Sequence, residues 1–287
     1  MVRSARRGAL LLLPATVPTV AVLGAALTMA VLQSIGLLPL VGQPDATLQT
    51  YRSAADDRAV HDGLVVTLGI AAASTALAVT IGLGIALGIR TSGVGSRLLH
   101  AAAAATVPVP HLVGAASVGL LLSDSGVIAR VFGAEPGTFP QLVGGPWWVA
   151  VVLEYAWKES AFVALVVLAA IARHERDLDE AAAVLGAAPW QRLRRVAIPL
   201  AAPATIAAGG IAFAYVIGSY EVAWLLGRTY PEPLPVLAYR LYTDVDLTRR
   251  DQAMAIVVLT TALAITALIS SLALLRRTAM VRMAGRS

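Results

Sequence analysis

Four ionisable side chains, Glu154, Lys158, Glu159 and Glu221, stand inside otherwise apolar runs of this 287-residue sequence. A charge in such surroundings is costly unless it faces a bundle interior, a partner or water, so each marks chemistry that the chain retains. Glu154 and Lys158 are four apart, on one face of a helix, and are expected to neutralise each other. That leaves Glu159 and Glu221, with Tyr220 beside it, as excess acid and aromatic surface. The alternative is that Lys158 bridges helices and Glu221 pairs with Arg228, Arg240 or a second subunit. Sets for catalysis are missing. No Gly-x-x-x-x-Gly-Lys-Ser/Thr phosphate loop, His-Glu-x-x-His zinc pattern or Gly-x-Ser-x-Gly elbow occurs, and without cysteine there is no thiolate nucleophile, thiolate metal site or disulfide. Gly82-Leu83-Gly84 lacks the later glycine and the strand context of a dinucleotide fingerprint. The histidines His61, His100, His111 and His174 are far apart, which argues against a shared metal site. His111, in a Pro-His context, reads as a packed or interfacial residue, with a ligand or proton-relay role as the alternative. No metal or cofactor is implied.

Elements must hold these groups, and composition says which kind. With 58% hydrophobic and 14% charged residues and a mean hydropathy of +0.76, the chain reads as an all-α polytopic membrane protein. Six spans are expected at about 8–32, 63–89, 100–122, 147–171, 203–226 and 251–275, each long enough at about 1.5 Å per residue to cross a hydrocarbon core. The first could instead be a cleaved leader, but it is long, holds Pro14 and Pro18 and lacks a clear small-residue cleavage site. The second carries Gly84-Ile85-Ala86-Leu87-Gly88, a small-xxx-small pattern for close helix approach, and Pro108 and Pro110 bend the third. Trp147-Trp148 marks an interface where the fourth begins. Between spans lie an acidic loop at 33–62 with a short helix, a Gly- and Pro-containing loop at 123–145, and 227–250 with its amphipathic Leu234–Tyr242 stretch. The resulting organisation is a first helix and loop (1–62), a helical core (63–276) and a basic tail (277–287).

Sidedness follows from the basic residues. The N-terminus, the 90–99 link, the 172–202 segment and the end of the chain from Arg276 hold 14 of the 22, against seven in the opposite loops and Lys158 within a span, which places both termini in the cytoplasm. The positive charge is nearly all arginine scattered at span ends, which is no footprint for nucleic acid.

The polar interruption at 177–199 organises the rest. Asp177 reads as an N-cap with Glu180 as its capping-box partner, opening a short Ala-rich helix that Gly186 stops or bends. Pro189 can start a second helix in which Trp190, Leu193 and Val196 share a face, while Arg192 and Arg195 lie elsewhere. The product is a helical hairpin just outside the membrane.

Glu180-Ala181-Ala182, then Gly186, then Val196-Ala197-Ile198-Pro199 resemble the Glu-Ala-Ala loop of binding-protein-dependent ABC importer permeases, where the family has Ile and Leu in place of Val196 and Ile198. The resemblance covers roughly 62–276. It implies a bacterial inner-membrane protein with five core helices and a peripheral first helix. The implied partners are two ATP-binding cassette ATPase subunits, an identical or different second permease and an extracytoplasmic substrate-binding protein. The implied coupling residues are Glu180, Ala181, Ala182, Gly186, Trp190, Leu193 and Pro199, with Trp190 or Leu193 packing beneath Gly186 and Glu180 making charge-assisted contacts. The stretches 218–227 and Tyr155-Ala156-Trp157-Lys158 look most like the spermidine/putrescine subgroup, with sulfate, molybdate and ferric-iron permeases as related alternatives. Glu154, Lys158, Glu159, Tyr220 and Glu221 are then candidate pathway residues. At about 1.5 Å per residue, Glu154 lies roughly 10 Å and Glu221 about 8 Å within the outer half. An acidic route suits a cation such as a polyamine. A self-contained secondary carrier or channel is the competing class, for which paired internal repeats would be expected and none is convincing.

Overall fold

The computed structural model describes residues 2–89, 94–135, 137–172 and 175–284, and side chains over 12–89, 94–135, 137–172 and 177–276. Arg90, Arg173, His174 and Arg286, and the side chains of Arg3, Arg6, Arg7, Arg176, Arg277 and Arg282, lie outside the described residues. Every regular element among the described residues is helical. In chain order these are α1 (Val2–Ser34), α2 (Gln49–Asp56), α3 (Arg58–Ile89), α4 (Val94–Thr106), α5 (His111–Leu122), α6 (Val127–Val131) and α7 (Val149–Ile171). They continue as α8 (Glu175–Val184), α9 (Pro189–Arg192), a π-helical turn (Leu193–Ala197), α10 (Ile198–Gly218), α11 (Glu221–Leu226), α12 (Leu234–Tyr242) and α13 (Arg249–Ala284).

Among the described residues, five stretches are long and apolar enough to cross a bilayer: Leu12–Ser34, Arg58–Ile89, His111–Val131, Pro189–Gly218 and Arg249–Arg276. α7 has 23 residues, about 34 Å of helix, so it has the length but carries Glu154, Lys158 and Glu159 at its middle.

Prolines account for several departures from the sequence reading. The expected third span at 100–122 is two helices: Pro108 and Pro110 cannot donate backbone N–H groups, so α4 ends at Thr106 and His111 opens α5. Pro203, expected to start the fifth span, lies inside α10. The start of that helix is instead marked by Pro199, whose ring is relieved by the wider π-turn over Leu193–Ala197 immediately before it. The same span ends at Gly218 rather than 226, with Ser219 in an extended conformation before α11. Close helix approach also falls two residues from the expected Gly84, on the other side of the helix: Gly84 faces open space, whereas a side chain at Gly82 would meet the Ser160 carbonyl and Val163 of α7.

The chain packs as two units. One comprises Met1–His61 with Leu237–Thr260. Here the C-terminal end of α1 is tied down by Ser34 Oγ, 2.8 Å from Tyr51 Oη, and by Gln33 donating to Asp251 at 3.2 Å, while Gln252 donates to Asp57 at 3.0 Å. The apolar side chains of α1 from Leu12 to Leu27 are exposed, as suits a helix facing lipid. The other unit, Asp62–Val236 with Thr261–Ser287, holds the core. One apolar cluster joins Ile70, Trp148, Val151, Tyr155, Val216, Ile217, Val222 and Leu226. A second joins Ala86, Val163, Val167, Ile171, Ala201 and Ala208, where small residues let α3, α7 and α10 approach closely. The turns of α7 from Glu154 to Ser160 run between the parts of that helix serving each cluster.

Candidate functional site

These middle turns of α7 form a polar centre inside the second unit. Glu154, Lys158 and Glu159 are 0%, 6% and 8% exposed. The broken α4–α5 junction decides what Lys158 does. Pro110 would have bonded the Thr106 carbonyl had it an N–H; Lys158 Nζ donates to that carbonyl at 2.8 Å, and to the Val109 carbonyl. The expected neutralisation of Glu154 by Lys158 is therefore corrected. Both share a helix face, but the carbonyls of the junction, of which Thr106 otherwise accepts only from the Val109 N–H at 3.2 Å, claim the ammonium, and Glu154 is met from α5 instead. His111 Nδ1 lies 3.3 and 3.5 Å from the two Glu154 oxygens, and its Nε2 lies 3.6 Å from Glu159. An imidazole has one N–H and serves one of these carboxylates at a time, whereas an imidazolium serves both.

Aromatic rings close the cluster. The His111 ring lies 4.9 Å from that of Tyr215 on α10 and 6.1 Å from that of Tyr155, and the two tyrosine rings meet edge-on at 6.5 Å. Tyr155 and Tyr215 are each within electrostatic reach of Glu154 and Glu221. The candidate pathway acids, separated in sequence, are thus gathered around two tyrosines. Tyr220 and Glu221 follow the break between α10 and α11. Sequence reasoning missed Tyr155, Tyr215 and Ser219 and gave His111 a packing role. The available signal was the adjacency of Tyr155 to Glu154 and of Ser219 to Tyr220; nothing local foretells that α5 lies against α7.

Room for the Glu154 carboxylate comes from Gly114, where a Cβ would lie 2.8 Å from Glu154 Oε1 and 3.3 Å from Trp157. Gly114→Val is expected to destabilise the protein by about 1–3 kcal/mol through this overpacking. Thermal unfolding in detergent checks it: a melting temperature equal to that of the parent would contradict the contact.

Outside the bundle, α8, the turn and α9 form the hairpin. α8 begins at Glu175, so Asp177 lies within the helix rather than capping it, and the expected capping box with Glu180 does not form. Gly186 ends the turn at φ +79°, a left-handed conformation that favours glycine, with Gly186 N–H bonded to Ala183 O and Ala187 N–H to Ala182 O. Pro189 starts α9, and Gln191 accepts from Ala188 N–H at 3.0 Å. The two arms are pinned by Arg192 on Asp179 at 2.6 Å. Glu180, expected to make such a contact, is exposed and forms no hydrogen bond or ion pair among the described residues. Trp190 does not pack beneath the turn: it is 65% exposed, while Leu193 is half-buried. Val184 and Leu185 are each 87% exposed beside it, an apolar tip between arms that carry Asp177, Asp179 and Glu180 on one side and Arg192, Arg194 and Arg195 on the other. Ala181 is exposed, Ala182 is half-buried, and Pro199 leads from the hairpin into α10.

Comparison with known proteins places this arrangement. The chain is 30% identical over 162 residues to the trehalose transport system permease protein SugA of Mycobacterium tuberculosis, covering 56% of this chain and 52% of that one. It is 28% identical over 204 residues to the molybdenum transport system permease protein ModB of Azotobacter vinelandii, covering 67% and 85%. The chain therefore spans about half the length of SugA. The crystal structure of a bacterial ABC transporter that imports the acidic polysaccharide alginate contains a chain of the same fold, with a TM-score of 0.74, 21% identity and coverage of 96% and 98%. Residues 78–280, which enclose the polar centre and the hairpin, match the model of the binding-protein-dependent transport system inner membrane component, and the chain belongs to that family.

Proposed function

We propose that this permease subunit lines the route of a small cationic solute of the polyamine class, and that its 177–199 hairpin couples the route to two ATP-binding cassette ATPase subunits. A second permease, identical or different, and an extracytoplasmic substrate-binding protein complete the complex. The observation that carries the coupling role is the hairpin tip: Val184, Leu185 and Trp190 are exposed beside the left-handed turn at Gly186. An apolar patch on a polar surface element is suited to packing in a partner's cleft. Relatives named for trehalose, molybdenum and 2-aminoethylphosphonate show that membership of the family does not select one solute. The cationic reading rests on Glu154, Glu159 and Glu221 around a centre whose Lys158 is occupied by backbone carbonyls.

Uptake by the complex reconstituted in liposomes tests this function. Labelled spermidine should accumulate only when ATP, the ATPase and the binding protein are all supplied. Accumulation without the ATPase would instead establish the self-contained carrier. The same reading sets six crossings and cytoplasmic termini. As the chain has no cysteine, single cysteines can be placed freely: at Ala55 and Thr138 they are expected to react with an impermeant maleimide from outside, and at Ala187 only after permeabilisation. Labelling of Ala55 and Ala187 from the same side would remove the topology and the coupling role with it.

A further inference from the structure

A cavity of about 400 Å³ opens at the break between α10 and α11, lined by Ala214, Tyr215, Gly218, Ser219, Tyr220 and Glu221. We propose that this cavity is a binding site for an alkylammonium group. The proposal rests on the permease reading above and assigns that reading a specific site and ligand chemistry.

Four features of the break converge on a cationic donor. The first is the Glu221 carboxylate, half-buried and without an ion pair among the described residues. Second, α10 points its C-terminal end here after 21 residues; such an end carries carbonyls without helical partners and a partial negative charge. Third, Tyr215 and Tyr220 line the cavity, and aromatic rings attract ammonium groups. The fourth is polar capacity left unused. Ser219 Oγ is buried without a hydrogen bond, and so is the hydroxyl of Tyr155, a residue only 1% exposed. The Ser219 hydroxyl is within loose hydrogen-bonding reach of those of both Tyr155 and Tyr215 but does not have the geometry of a formed bond to either. Buried hydroxyls without partners are uncommon in folded proteins and cost free energy comparable to a lost hydrogen bond. A primary ammonium has three N–H donors and no acceptor, which matches a carboxylate, a hydroxyl oxygen and terminal carbonyls. An oxyanion would meet like charge, since Glu221 lines the cavity and Glu154 and Glu159 act electrostatically on Tyr215 of the same lining. The lining holds no lysine or arginine to receive one.

Equilibrium binding of labelled putrescine to the full permease complex in nanodiscs, without ATP, tests the proposal. Saturable binding should be displaced by spermidine and by propylamine, but not by trehalose or molybdate. Glu221→Gln, of nearly equal shape, is expected to weaken it about ten- to a hundred-fold, the range for a hydrogen bond to a charged group. Ser219→Ala should weaken it several-fold while leaving the melting temperature equal or higher, because it removes a buried hydroxyl that has no partner in the empty site. A merely structural Ser219 would leave binding unchanged. Putrescine binding unaffected by both variants, or displaced by trehalose or molybdate, overturns the site. Binding-protein-stimulated ATP hydrolysis by the parent complex separates the outcomes: if it persists while no amine binds, the ammonium site is wrong and the permease reading stands.

Discussion

Gly186→Val should reduce binding-protein-dependent uptake at least ten-fold, with the subunit still inserted in the membrane. Gly186 sits at φ +79° at the hairpin turn, and nothing lies within 4 Å of where its Cβ would be. Within the chain the substitution therefore meets no clash, only the strain of a β-branched residue in a left-handed conformation, about 1–2 kcal/mol. A hairpin tilted to escape that strain would move Val184, Leu185 and Trp190 together, and so misplace the whole apolar tip. Gly186→Asn is the informative companion, because asparagine tolerates this backbone region, and it should retain more uptake than the valine variant. Full uptake by Gly186→Val, measured with normal amounts of subunit in the membrane, would exclude the hairpin from coupling.

Lys158→Met should have the largest effect on stability. It leaves the Val109 carbonyl without this donor and the Thr106 carbonyl with only the Val109 N–H at 3.2 Å, at about 1–3 kcal/mol for an unsatisfied group. It also removes a fixed positive charge that acts on Glu159. Against a total stability of about 5–15 kcal/mol this is enough to impair assembly, seen as a loss of the monodisperse peak on size-exclusion chromatography. Because Pro110 creates the demand at Thr106, Pro110→Ala restores a backbone N–H there, and the double variant should be less impaired than the sum of the two changes. Strict additivity would show that the lysine does not act through that junction.

What was legible in the sequence differs between the two sites for a physical reason. The hairpin is local: a glycine for the left-handed turn, a proline for the next helix start and polar arms between apolar runs all act within 177–199, and Gly186 and Pro189 sit where those signals put them. Its caps were less legible, because Asp177 competes with a helix that starts two residues earlier. The polar centre is non-local. Helical spacing correctly placed Glu154 and Lys158 on one face, yet their partners come from α5, 43 residues from Glu154, and from the α4–α5 junction. A buried ammonium follows the strongest unmet acceptors in three dimensions, and spacing along one helix does not show those. The span boundaries failed where prolines stood close together, since a hydropathy run does not distinguish a bent helix from two helices meeting end to end.

The central claim is that the hairpin tip seats in an ATPase partner, and cross-linking from Leu185 tests it most directly. Leu185 is 87% exposed at that tip, and Leu185→Cys would be the only cysteine in the chain. Placed in the assembled complex and treated with a short bifunctional reagent, it is expected to form a single adduct with the ATPase subunit, in a yield that changes when ATP is bound. Failure to cross-link the ATPase in a complex that still hydrolyses ATP under binding-protein control, or modification of Leu185→Cys by an impermeant reagent from outside intact cells, would contradict the account.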